Sequence, residues 1–233
     1  MNTAEFVEQL DSRIAKYDLL CHPFYQAWSA GELTREDLRE YARDYFHHVE
    51  AFPRYLAQLA MRLDDGELRR AVLANMCEEK GVGGSGSGAR PHHEVWLDFA
   101  EGMGAHGAMH AYPPAQEIRN LMSHFHHVAS EGTPEEAVAA FYAYESQVPR
   151  IAQEKERGLR QSYGADDKTC GYFSLHATAD VHHSRVWRKQ LEKRIAANPE
   201  TADKALDAAE AAALMLWNVL DGMEARRTAL TAA

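Results

Sequence analysis

Two histidines and an aspartate share one face of a long helical segment: His176, Asp180 and His183. Advancing about 100° per residue from His176 puts Asp180 at about 40° and His183 at about −20°. Tyr172 and Trp187 fall in the same arc, whereas His182 points to the opposite side. Two imidazoles and a carboxylate on a stripe that looks buried are expensive unless something pairs with them. A divalent metal is the simplest partner, because this donor mixture suits iron, manganese or zinc. The plainer reading, a polar network or a solvated face, needs no metal.

A second segment tips the balance. Val138, Phe141, Tyr142, Val148 and Ala152 make an apolar stripe over 134–162, and Glu145 sits inside it. A carboxylate on a core face needs a cation or hydrogen-bond donors. A third segment ends in Glu78-Glu79, and helical pitch does not decide which of the two faces inward. Pro91-His92-His93-Glu94 opens a further helix and offers His92. Carboxylates and histidines from facing helices are how helical bundles build two-metal sites. The set Glu78, His92, Glu145, His176, Asp180 and His183 is enough for two metals with positions left open for oxygen.

The elements that must carry these side chains read as helix nearly throughout. Segments 3–17, 34–62, 66–80, 114–130, 134–162, 170–196 and 202–231 have apolar residues at three- and four-residue spacing. Shorter helices are expected at 22–30 and 92–103. Thr34 and Thr133 look like helix starts, and Gly31, Gly104 and Gly164 like stops. No segment shows the alternation of a strand. The expected fold is all-α, a bundle of seven to nine helices in one domain over 1–233. Gly81 to Gly88 is a Gly/Ser-rich loop, read as a lid or as an insertion with no role. It is not a phosphate loop, since no Gly-Lys-Ser/Thr follows.

Composition narrows the function. A formal net charge of −10 argues against nucleic acid as a partner. No apolar run reaches the length of a membrane span. The first residues have no apolar signal region, so the chain reads as cytoplasmic. Composition does not decide between a monomer and a homodimer. Cys21, Cys77 and Cys170 are far apart and odd in number, so they read as small buried hydrophobes and not as disulfides. There are 13 histidines, several in pairs, more than one metal centre uses.

Together these motifs resemble the family of the Chlamydia protein associating with death domains, among the haem-oxygenase-like di-metal oxidases. The resemblance runs over essentially the whole chain. It is carried by His22-Pro23-Phe24-Tyr25-Gln26-Ala27-Trp28, His48-Val49-Glu50-Ala51-Phe52-Pro53 and His92-His93-Glu94-Val95-Trp96-Leu97. It continues through Tyr144-Glu145-Ser146-Gln147-Val148-Pro149 and Tyr172-Phe173-Ser174-Leu175-His176 to Asp180 and His183. More distant relatives of this fold are thiaminase-type proteins, the oxidase of pyrroloquinoline quinone synthesis and haem oxygenase. The resemblance implies a synthase of 4-aminobenzoate, for folate synthesis, that cuts the ring from its own tyrosine. That tyrosine would be Tyr25, with Lys155 as amino donor, and Tyr41, Tyr144 and Tyr172 would relay electrons or substitute for it. It also implies the six ligands above, with Glu78 favoured over Glu79. It further implies a manganese–iron or di-iron centre using O2 and an external reductant, and one turnover per chain. The stretch before His92 is longer than the family's, and His93 stands where the family has proline, so His93 stays beside His92 as an alternative.

Each residue also has a plainer reading. Tyr25 lies between Phe24 and Trp28 and suits a core, and Lys155, between Glu154 and Glu156, suits a solvated face. Lys155 is ten residues after Glu145, about 15 Å of helix rise, unless Pro149 bends the helix. Rival functions are a haem-binding oxygenase with His22 or His47 on the iron, a cofactor-free oxygenase, and a non-enzymatic protein-interaction module. A thiaminase-like hydrolase needs a nucleophilic cysteine, and no cysteine here has the context of one.

Overall fold

The computed structural model describes residues 1–82 and 90–231. Most of the Gly/Ser loop expected at 81–88 lies outside the described residues. Within them the regular structure is helical and no strand occurs: α1 (Thr3–Ala15), α2 (Pro23–Ala30), α3 (Arg35–Arg62), α4 (Glu67–Glu79), α5 (His92–Gly102), α6 (Gln116–Ser130), α7 (Pro134–Glu145), α8 (Val148–Ser162), α9 (Asp167–Ala197) and α10 (Ala202–Thr231). Short 3-10 turns cover Leu19–Cys21, Met109–Ala111 and Pro199–Thr201.

Local chemistry sets the helix ends. Thr34 and Asp37 close a capping box on α3, and Thr133 and Glu136 close one on α7. Loss of such a cap costs about 0.5–2 kcal/mol. His22 caps α2, its Nδ1 accepting from Phe24 N–H at 3.1 Å, and Pro23 fills the first turn, where no N–H is needed. Gly31 ends α2 at φ 73°, a conformation that favours glycine.

All nine expected segments are helical, but 134–162 is two helices. The break falls at Ser146 and Gln147. Pro149 has no N–H for the carbonyl of Glu145, and its ring crowds that carbonyl, so the ladder stops there. The break leaves Glu145 as the last residue of α7 and starts α8 on a new axis.

α9 lies at the centre, packed against α5, α7 and α8 and touching α1 and α4; α10 closes the other side against α7, α6 and α1. The face of α9 aimed inward carries Tyr172, His176, Asp180, His183 and Trp187, all buried, and His182 is exposed as expected. α8 lies unusually close to α2. A Cβ on Gly158 would come within 2.9 Å of Trp28 Cδ1 and 3.1 Å of the Trp28 carbonyl oxygen. Glycine there lets the two helices meet, and Trp28 Nε1 donates to the Lys155 carbonyl at 3.2 Å across the contact.

The expectation for the cysteines needs correction. Only Cys170 is buried; Cys77 is half-buried and Cys21 is exposed, at the end of a surface 3-10 turn. All three are free thiols.

Candidate metal centre and tyrosine chamber

Six ligand-type side chains from four helices meet around α9 in two groups of three, each with donor atoms within 4.8 Å of one another. One group is Glu79, His92 and His176, and the other is Glu145, Asp180 and His183. All six residues are buried. His176 and Asp180, one turn apart on α9, form the seam between the groups. The two donor sets are unlike. The first has one carboxylate and two imidazoles, the second two carboxylates and one imidazole.

Five of the six expected donors fall in these groups, and the sixth, Glu78, does not. Glu79, not Glu78, is the α4 carboxylate in the cluster. Glu79 is 5% exposed, and its Oε1 lies 3.0 Å from His92 Nδ1 and 4.0 Å from His176 Nε2. Glu78 is turned outward by about 100°. Its side chain is 50% exposed, and its Oε2 accepts from His183 Nε2 at 2.8 Å. Glu78 thus braces the far side of the His183 ring and leaves Nδ1 to face Asp180 and Glu145 at 3.1 and 3.7 Å. His92 is buried and His93 is only half-buried and outside both groups, so packing selects His92. His176 is braced in the same way, Nδ1 donating to the Tyr172 carbonyl at 2.9 Å.

The electrostatics ask for a cation. Burial and the charge of Asp180 push the Glu145 carboxyl up to about 8, against the pull of His183, Asn75 and Trp187. Burial opposes a charge on His183, yet its bond to Asp180 and the charges of Glu145 and Asp180 outweigh that and raise it to about 10. This trio holds protons tightly, and a divalent cation satisfies the same excess of negative charge better. In the other trio, His92 Nδ1 lies 3.0 Å from Glu79 Oε1, and both side chains are buried. The residues present therefore fit a pair of metal ions.

A chamber of aromatic rings adjoins the cluster. Tyr172 stacks on His176 with ring centroids 4.0 Å apart and meets Trp96 edge-on at 4.8 Å. Tyr144 lines the same pocket beside Tyr172 and Tyr45. Tyr45 stacks on Tyr41 at 5.4 Å, and the Tyr41 hydroxyl lies 3.2 Å from that of Tyr25. Lys155 closes the path. Its Nζ donates to the Tyr25 hydroxyl at 2.7 Å and to the Tyr41 hydroxyl, and it sits 4.2 Å from the centre of the Tyr25 ring. Lys155 is 6% exposed, which overturns the reading of it as a solvated lysine. Glu154 and Glu156 are half-buried and paired with Arg157 and Arg160, and they sit a third of a turn to either side. Burial pushes the Lys155 amine well below its usual range and every phenol in the chamber above its own. The chamber encloses a cavity of about 30 Å3, lined by Tyr25, Tyr41, Tyr45, Tyr144, Tyr172 and Lys155 among others.

Three participants were given no role at the site by the sequence reading. Tyr45 continues the path one helical turn after Tyr41, and the spacing Tyr41-x3-Tyr45-x2-His48 repeats the pattern read on α9. His48 is wholly buried, neither ring nitrogen has a partner, and burial drives it down to about 3, so it is a neutral imidazole against Tyr144. Asn75 donates to Glu145 Oε1 at 3.0 Å. The histidines considered for haem lie elsewhere. Both ring nitrogens of His22 are engaged, by Phe24 N–H and Asp221, and His47 Nε2 meets the Tyr112 carbonyl at 2.7 Å.

Residues 39–217 match the family described as iron-containing redox enzymes. The chain belongs to that family. It is accordingly an oxidase-type enzyme, and within the family its sequence is similar to proteins named 4-aminobenzoate synthase. That of Chlamydia trachomatis is 36% identical over 218 residues, covering 93% of this chain and 90% of the relative. That of Nitrosomonas europaea is 37% identical over 234 residues, covering 96% and 92%. The fold is the haem-oxygenase-like one. A Shewanella denitrificans protein described as having that fold superposes with a TM-score of 0.79 at 14% identity, over 99% of this chain and 95% of that one. A CADD-like protein of unknown function from Nostoc punctiforme gives 0.70 at 15% identity, over 97% and 98%. Among the described residues no helix is long and apolar enough to cross a membrane.

Proposed function

We propose that this iron-containing redox enzyme makes 4-aminobenzoate from its own Tyr25, taking nitrogen from Lys155. One observation carries the reading. The only amine in the chamber touches the phenol oxygen of Tyr25 at 2.7 Å, beside a cavity of about 30 Å3. A cavity of about 150 Å3 binds benzene and one of about 10–15 Å3 holds a water, so the space beside Tyr25 suits a small molecule such as O2 better than a second aromatic substrate.

The placement of atoms supports the same product. In 4-aminobenzoate the nitrogen is para to the carboxyl carbon. In Tyr25 the hydroxyl is para to Cβ, and Lys155 Nζ stands against that hydroxyl. Replacing the C–O bond by C–N with the oxygen lost as water, breaking the Lys155 Cε–N bond with Cε left as an aldehyde, and breaking the Tyr25 Cα–Cβ bond with Cα left as glycine and Cβ oxidised to a carboxylate gives the product, with O2 taking up the electrons. Desolvation favours the neutral amine, the form with a free lone pair. The tether keeps both reactants in place with no binding step.

Glu79, His92 and His176 would hold one metal, and Glu145, Asp180 and His183 the other. A bound manganese–iron or di-iron pair supplies electron transfer and oxygen activation, with an external reductant. Tyr172, Tyr144, Tyr45 and Tyr41 then line the way from His176 to Tyr25. Tyr25 is bonded to the same Lys155 as Tyr41, so an electron and a proton leaving its phenol each have a neighbour to go to.

The deciding experiment is isotopic. Protein grown with ring-labelled tyrosine, loaded with metal and reductant and then exposed to air, releases labelled 4-aminobenzoate, at most about one equivalent per chain. Unlabelled product made from an added small molecule over many turnovers would refute the reading. The ligand assignment has its own test, metal content per chain. Glu79→Gln removes the one carboxylate of its trio and loses about one metal per chain. Glu78→Gln keeps an acceptor for His183 Nε2 and retains two. The opposite ranking would restore Glu78 as the ligand.

A further inference from the structure

Glu145 is not fixed by its own backbone. It ends α7 at the break before Pro149, on a side chain with three rotatable bonds. Its carboxylate is nonetheless held at both oxygens. Asn75 Nδ2 donates to Oε1 at 3.0 Å, and Trp187 Nε1 donates to Oε2. Asn75 is 3% exposed and Trp187 1%, so neither bond competes with solvent. Each donor comes from a helix that also supplies donors to the cluster. Asn75 precedes Glu79 by one turn on α4, and Trp187 follows His183 by one turn on α9. Both donors are neutral, so they orient the carboxylate without cancelling its charge. The other atom of the Asn75 amide, Oδ1, is buried without a partner. A purely structural position sheds such a half-satisfied amide in favour of an apolar side chain.

We propose that Asn75 and Trp187 are positioning residues that lock the plane of the Glu145 carboxylate. They leave its remaining lone pairs aimed at the ion bound with Asp180 and His183, and so set the affinity of that trio apart from its neighbour. This rests on the metal reading above. Partners of this kind usually shift metal affinity by about 10–100-fold.

The test uses the full chain, stripped with chelator and titrated anaerobically with Co2+, whose visible d–d bands report coordination geometry. Wild type takes up two equivalents. Asn75→Leu and Trp187→Phe, the latter keeping a ring in the core, each weaken one of the two sites by about 10–100-fold. They also change the bands of that site and leave the other site alone. Variants that match wild type in both affinities and both spectra overturn the clamp while leaving the metal centre intact. Equal weakening of both sites also overturns it, since that is the mark of general loosening. A wild-type chain that binds fewer than two ions overturns the metal reading itself, and this inference with it.

Discussion

Tyr25→Phe makes no 4-aminobenzoate yet keeps two metals per chain. Phenylalanine retains the ring packing of Tyr25 against Phe24 and Trp28, with centroids 6.2 and 6.4 Å away. It loses only the hydroxyl bonded to Lys155 and Tyr41. Loss of a buried hydrogen bond costs about 0.5–1.5 kcal/mol, too little to unfold a bundle with this much buried core. What disappears is the oxidisable phenol and the C–O position that the amine faces. The measurement pairs a small-molecule assay by mass spectrometry with metal analysis of the same sample. Tyr41→Phe is the control. It disturbs the path but leaves the ring of Tyr25, so any product it forms still carries the tyrosine label. Wild-type product from Tyr25→Phe would show that the ring comes from elsewhere.

Lys155→Met also abolishes the product, and it makes the protein more stable. A lysine 6% exposed with no carboxylate beside it sheds its proton to fold, because burial disfavours the ammonium. Its folded pKa lies well below the unfolded value of 10.5. Between the two values the unfolded chain binds more protons, so wild-type stability rises with pH across that window. Methionine has no such cost. Its advantage is therefore largest below the folded-state pKa and fades as pH approaches 10.5. For a chain of this size each kcal/mol moves the thermal midpoint by about 2–4 °C. Thermal melts of both proteins across pH read this directly. A methionine variant less stable at every pH would mean that the bonds to Tyr25 and Tyr41 outweigh the desolvation of the amine.

The two residues differ in how legible they were. On α9 the arc of Tyr172, His176, Asp180, His183 and Trp187 could be read from spacing alone. A 31-residue helix buried along one side has nowhere else to turn that face. Pro149 was read only as a bend within one helix over 134–162, whereas the helix stops before it and α7 ends at Glu145. Glu78 and Glu79 could not be separated from spacing, because adjacent positions lie about 100° apart and packing of α4 on α3 and α9 decides between them. Lys155 was masked by its neighbours. Residues at ±1 on a helix share a sequence context but not a face, so two ion-paired glutamates say nothing of the side chain between them. Asn75 and Tyr45 carried a signal that went unread. Asn75 repeats Glu79 at one turn, and Tyr45 continues Tyr41 toward His48. An amide or a phenol on a core stripe resembles ordinary packing until its partner on another helix is known.

Under the proposed chemistry, in which Tyr25 itself supplies the ring, the supply of the aromatic product is tied to the ribosome. An enzyme with an open pocket answers demand by turning over faster. A chain that spends its own ring can answer only by being translated again, 233 residues for each molecule released. Control of output then passes to transcription and to the proteases that clear spent chains. The spent chain, missing a core aromatic between α2 and α8, presents those proteases with a loosened contact.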